Sequence, residues 1–170
     1  DEADNIVRAG QIHASPFDTP VFVPSTHLPS AFLIPIAILQ EITGSLWWNG
    51  RLVAMGFSVF LILGMFYFSR EVFEAKWGLA AAFLASVMSW SLNWGRIGMH
   101  GITAAAFSAF TGFLLWKSLI RWSPFWFFWT GFILGVGMWF YAPFRLFPLV
   151  ILVSVLLRLI SDYPGWRKLL

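Results

Sequence analysis

A chain of 170 residues that is 59% hydrophobic, 19% aromatic and only 11% charged falls far below the roughly 25% charged content of an ordinary soluble domain. Eleven Lys+Arg and eight Asp+Glu cannot hydrate the exterior of such a chain, whereas a bilayer removes the need to. The absence of cysteine excludes a disulfide framework, thiolate zinc sites and thiol catalysis. The basic residues occur singly between apolar runs, so the high pI does not mark a nucleic-acid surface. His13, His27 and His100 are too scattered for a metal motif. The composition is that of an integral membrane protein, and a start at Asp1 without a signal-peptide pattern is expected of a piece of a longer polypeptide.

In chain order, Asp1–Ile12 reads as an amphipathic helix lying on the membrane. Ala3, Ile6, Val7 and Gly10 form its apolar face, and Asp1, Asp4, Asn5 and Arg8 lie opposite. Residues 14–30 carry four prolines and form only loop and extended structure. Ala31–Leu39 is apolar but short and broken by Pro35, which suits an interfacial or re-entrant helix. Five candidate spans follow at 52–68, 77–95, 101–116, 122–144 and 146–160. The last is the weakest, since its uncharged run stops at Leu157, contains Pro148 and needs Arg145 and Arg158 to snorkel. The expected fold is all-α: a polytopic transmembrane helical bundle with amphipathic and interfacial helices in an extracytoplasmic first loop (1–50), a membrane region (51–160) and a cytoplasmic segment (161–170).

Charge placement supports that orientation. With the first 50 residues outside, Arg70, Lys76, Lys117, Arg121, Arg158, Arg167 and Lys168 fall on the cytoplasmic side, against Arg8, Arg51, Arg96 and Arg145 outside. Trp47, Trp48, Trp90, Trp94 and Trp139 line the outer interface, and Trp77, Trp116, Trp122 and Trp166 the inner one.

Few residues remain that could carry chemistry. Asp1 and Glu2 are neighbours on a helix, so they point about 100° apart and cannot both face one bond. One of them acts as a general base on an attacking hydroxyl, or both merely satisfy the helix N-terminus. Trp94–Gly101 contains Arg96 and His100, which share a face at i and i+4 if the segment is helical and would then hold a phosphate. The bland alternative is a glycine-rich turn with an interfacial arginine. Arg145, between Pro143 and Pro148, is either a second phosphate or headgroup contact or an interfacial anchor, and Arg51 is a less specific case of the same kind. Gly131 and Gly135 form a GxxxG of the sort that marks close helix packing.

The succession Asp1-Glu2-Ala3, amphipathic helix, proline-containing loop, short apolar helix and Arg51-Leu52 entering a span resembles the first outer loop of the membrane C-type glycosyltransferases. Gly95-Arg96-Ile97-Gly98 after a Trp-rich helix end, and Tyr141-Ala-Pro-Phe-Arg145-Leu-Phe-Pro148-Leu149, resemble their bacterial family-39-like group, related to the protein O-mannosyltransferases. The resemblance implies a multi-span plasma-membrane enzyme that moves a sugar from a polyprenyl-phosphate donor to a hydroxyl acceptor (protein, lipid or glycan) on the extracytoplasmic face, with inversion. It implies Asp1 as base with Glu2 beside it, and Arg96 and Arg145 on the donor phosphate, to which the residue pattern around Arg96 adds His100. Arg51, His27 and Tyr141 are the further candidate contacts of the substrate loops. Relatives carry another acid shortly after the second outer arginine, and Ile97–Ala106 has none, so no metal ligand is assigned and a divalent cation is the one cofactor left open. The rival reading is a polytopic transporter or lipid-linked-sugar flippase, which would place ionisable residues at mid-membrane. The five spans hold no internal Asp or Glu.

Overall fold

The computed structural model describes residues 2–14, 22, 29–44 and 47–162; Asp1, His27 and most of the expected cytoplasmic segment lie outside the described residues. These form an all-α polytopic bundle of α1 (Glu2–Ala14), α2 (Leu33–Thr43), α3 (Asn49–Val72), α4 (Ala75–Val87), α5 (Ser89–Arg96), α6 (Gly101–Arg121), α7 (Pro124–Phe140) and α8 (Phe147–Asp162). Short 3-10 turns precede α2 (Ser30–Phe32) and α8 (Ala142–Leu146). Among the described residues three stretches are long and apolar enough to cross a membrane: 49–72, 101–121 and 142–160.

The local chemistry explains most boundaries. Pro35 sits in the first turn of α2, where a missing N–H costs nothing. Pro124 opens α7, and Trp122 ends α6 in the left-handed region (φ 44°), its N–H bonded to the Ser118 carbonyl. Two expected spans are therefore altered. The fourth runs only from Pro124 to Phe140, and the second divides at Met88 (φ −63°, ψ 126°) into α4 and α5. No glycine or proline marks that break. Beside it the Ser86 hydroxyl bonds back to the Phe83 carbonyl at 2.7 Å, a contact that competes with the helical ladder.

The amphipathic reading of α1 is rotated by the structure. Ala9 and Asn5 are buried while Val7 is 62% exposed, because α1 packs on α2 and does not lie alone on a lipid surface. Ala9 joins Phe32, Leu33, Ile36, Ala37 and Val53 in one apolar cluster. A second, within the bundle, holds Ala54, Leu61, Ile102, Ala106 and Ala109 where α3 meets α6. Phe57 ties the two together, its ring 6.3 Å from Phe32, 5.9 Å from Phe107 and 5.3 Å from Phe140. α3 touches both α4 and α6, and α6 packs on α7 through a buried Ser118–Thr130 hydroxyl pair at 2.9 Å. Gly131 and Gly135 have nothing within 4 Å of a built Cβ, so the GxxxG packs against no described helix.

The charges separate by end. Arg70, Glu71, Glu74, Lys76, Lys117 and Arg121 gather where α3 and α6 finish and α4 begins, with Lys117 paired to Glu71 (3.6 Å) and Lys76 to Glu74 (2.9 Å). Glu2, Arg51, Arg96 and Arg145 belong to the opposite end, which α1 covers.

Close approach of α3 and α6 depends on Gly64, where a Cβ would sit 2.8 Å from the Phe110 ring and 2.9 Å from the Ala109 methyl. Gly64→Ala is expected to destabilise the protein by about 1–3 kcal/mol, read as a lower thermal midpoint in detergent. Gly56→Ala, with open space around it, should leave the midpoint unchanged or raise it, and equal effects of the two would contradict this packing.

Candidate functional site

The polar rim of the bundle is assembled around the start of α1. Three residues apart on one helix, Glu2 and Asn5 face the same way, toward the turn that joins α5 to α6. The Arg51 guanidinium donates twice to Glu2, Nε to Oε1 at 2.7 Å and Nη2 to Oε2 at 3.1 Å, a bidentate fork that fixes orientation as well as charge. The Gly98 N–H donates to the same Oε1 at 3.1 Å, and the Asn5 amide donates to the Gly98 carbonyl at 2.9 Å. Arg51 also lies over the Trp47 ring at 4.8 Å. The hydrogen-bonding guanidinium, helped by the Gly98 N–H and opposed by burial, holds the Glu2 carboxyl below the usual carboxylate range. Glu2 is thus committed to a clamp.

Gly98 can accept this clamp because it has no side chain. A Cβ there would lie 2.9 Å from the Gly50 carbonyl carbon, so the first turn of α3 and the α5–α6 turn touch backbone to backbone. Gly101 is equally constrained, since the Trp94 ring packs where its Cβ would be.

The expected helical pairing of Arg96 and His100 does not form. α5 ends at Arg96, Ile97 is extended (φ −105°, ψ 129°), and a tight turn with the Met99 N–H on the Ile97 carbonyl (2.7 Å) leads to α6. Glycines at 95, 98 and 101 make this a poor helix, and the clamp on Gly98 satisfies its backbone outside one. The two side chains part as a result. Arg96 is exposed at the rim of a cavity of about 370 Å³ between α3 and α4–α5, with Ser58, Ser86 and Ser91 in its wall. His100 is 4% exposed, its ring 4.7 Å from Phe32 and hydrogen-bonded to the Pro29 carbonyl, with Nε2 unpartnered. Burial pushes its pKa down to about 4, so near neutrality it is an uncharged ring with its proton on the Pro29 side and no donor to offer a phosphate.

Arg145 is exposed on the 3-10 turn before α8, its guanidinium 4.9 Å from the Phe22 ring. Tyr141 precedes that turn in extended conformation, half-buried, with its N–H on the Gly137 carbonyl. Among the described residues neither Arg96 nor Arg145 forms an ion pair. The structure therefore joins Glu2 to Arg51, leaves Arg96 and Arg145 available at the same end, and withdraws His100 into the interior. Glu2 and Asp4 are each committed to an arginine, and no three His, Asp or Glu side chains converge among the described residues, so these offer a divalent cation no ligand set. Asn5 was missed because periodicity set it on the solvent face; its spacing of three from Glu2 was the available signal.

The sequence model of the dolichyl-phosphate-mannose-protein mannosyltransferase family matches residues 27–169. No curated protein and no solved structure matches the chain.

Buried His100 makes stability depend on pH. In the unfolded chain it titrates near 6.5 and in the folded protein near 4, so between these values the unfolded state binds more protons. Stability is full above pH 6.5 and falls as pH drops toward 4, by about 3 kcal/mol. The Glu2 contribution lies lower, present above 4.5 and lost as pH falls beneath it. Thermal unfolding of wild type at pH 7 and pH 5 should show a drop that His100→Gln abolishes; an equal drop in both proteins would refute the assignment.

Proposed function

Because the chain belongs to the dolichyl-phosphate-mannose-protein mannosyltransferase family, a group of membrane glycosyltransferases of the C type, we propose that it transfers a sugar from a polyprenyl-phosphate donor to a hydroxyl acceptor on the extracytoplasmic face of the plasma membrane. The observation that carries this reading is the division of labour at the α1 end: Glu2 is tied to Arg51 and Gly98, while Arg96 and Arg145 carry no ion pair among the described residues. Of the adjacent acids Asp1 and Glu2, Asp1 is then the base.

The chemistry follows from charge. The acceptor oxygen attacks the anomeric carbon as the bond from that carbon to the phosphate oxygen breaks, and the hydroxyl proton passes to the Asp1 carboxylate. Attack opposite the departing phosphate inverts the anomeric centre. The leaving polyprenyl phosphate is stable as an anion and needs no proton; it gains charge in the transition state, and guanidinium groups fixed near it stabilise that charge. Arg96 and Arg145 supply them. The polyprenyl tail stays in lipid beside the exposed apolar helices while sugar and phosphate meet the arginine-bearing rim.

Membranes containing the protein, supplied with radiolabelled polyprenyl-phosphate sugars, test this reading. Asp1→Asn is expected to lower kcat at least about 100-fold with the donor KM little changed, and Arg96→Met to raise the donor KM about tenfold. Transfer that survives Asp1→Asn undiminished removes Asp1 as base. No transfer with any donor supports a transporter, and a reporter after Arg8 that reads as cytoplasmic overturns the sidedness.

A further inference from the structure

Among the described residues, Gly98 has both backbone polar groups bonded to the side chains of one other helix. Its N–H goes to Glu2 and its carbonyl receives Asn5, both from α1, across more than ninety residues of sequence. Asn5 is 8% exposed and the bond is buried. Its partner peptide lies against Gly50, so the turn is gripped between α1 and the first turn of α3 with no room for a side chain at Gly98. Two residues before Gly98 stands Arg96, and immediately before Glu2 stands Asp1.

We propose that Asn5 is a positioning residue: by holding the Gly98 carbonyl while Glu2 holds its N–H, it locks the α5–α6 turn to α1 and so fixes where Arg96 presents its guanidinium to a lipid-linked phosphate. This rests on the phosphate-binding role of Arg96 proposed above. The Gly98 N–H and carbonyl belong to the two peptide units on either side of its Cα, so the bonds from Glu2 and Asn5 hold both units against one helix. The carbonyl needs a neutral donor, and an aspartate would set a carboxylate against that carbonyl and beside the Glu2 carboxylate one helical turn away. The ion pair of Glu2 with Arg51, the packing of Ala9 and the Gln40 amide on the Ile6 carbonyl (3.0 Å) do not involve Asn5. These contacts hold α1 in place when the Asn5 amide is lost.

The test has two arms that need no sugar transfer, so failure of the glycosyltransferase reading is distinguishable from failure of this one. In hydrogen exchange on the protein in nanodiscs, the Gly98 amide is expected to exchange at least about tenfold faster in Asn5→Asp than in wild type, with residues 6–12 of α1 unchanged. In the second arm, decaprenyl phosphate is titrated onto wild type, Asn5→Asp, Arg96→Met and the double variant. Asn5→Asp should weaken binding about tenfold, and in the Arg96→Met background it should weaken it no further, because both act through one contact. Thermal midpoints accompany each variant, since a merely structural role would lower the midpoint without this non-additivity. Unchanged exchange at Gly98 overturns the lock; faster exchange with unchanged decaprenyl phosphate binding, or additive losses in the double variant, overturns the positioning role.

Discussion

One residue, Gly98, holds the polar rim to the apolar bundle through both of its backbone polar groups. A carbonyl and an amide removed from water must each find a partner, and here both partners come from a helix at the far end of the sequence. The same carboxylate that takes the Gly98 N–H takes the two-pronged Arg51 at the head of α3. Four elements thus meet at one point: α1, the start of α3, the end of α5 and the approach to α6. On the proposal above, that junction also sets where Arg96 leaves the backbone at the end of α5.

The two ends of the bundle use their cations differently. At one end Lys117 and Lys76 have carboxylate partners, and Lys117 and Arg121 lie over the Trp126 ring, which is how charges serve as anchors at a membrane interface. At the other end Arg51 is consumed by Glu2 and Arg145 lies over the Phe22 ring, while Arg96 is exposed without an ion pair among the described residues. Guanidinium groups left in that condition beside a lipid phase suit a phosphate arriving on a lipid chain.

Much of this fold was legible because membrane helices announce themselves by composition: the runs beginning at Leu52 and Gly101 became α3 and α6, extended by a turn or so at their charged ends. What composition could not show was tertiary. Met88 breaks a run at a point where no glycine or proline stands, and α1 turns Asn5, which periodicity sets on the solvent face, inward because its partner is a peptide group. The site divides in the same way. The Asp-Glu pair and the arginines could be listed from charge scarcity, but an i, i+4 pairing of Arg96 with His100 presumed a helix that three glycines and the Gly98 clamp prevent. Nothing in local sequence shows that His100 will be sealed under Phe32.

The interruption at Met88 bears on the solvent. α5 begins without a side-chain cap, so the first amides of its opening turn lack the intrahelical partners that an unbroken helix would have given them. Hydrocarbon cannot satisfy such groups, and irregular backbone at membrane depth persists only where protein or water does so. The hydroxyl-bearing hollow of Ser58, Ser86 and Ser91 against α3 opens beside that break and ends at Arg96. The turn between α4 and α5 therefore cannot face hydrocarbon bare, and the segment that runs from it to Arg96 has to meet protein, water or the interface there.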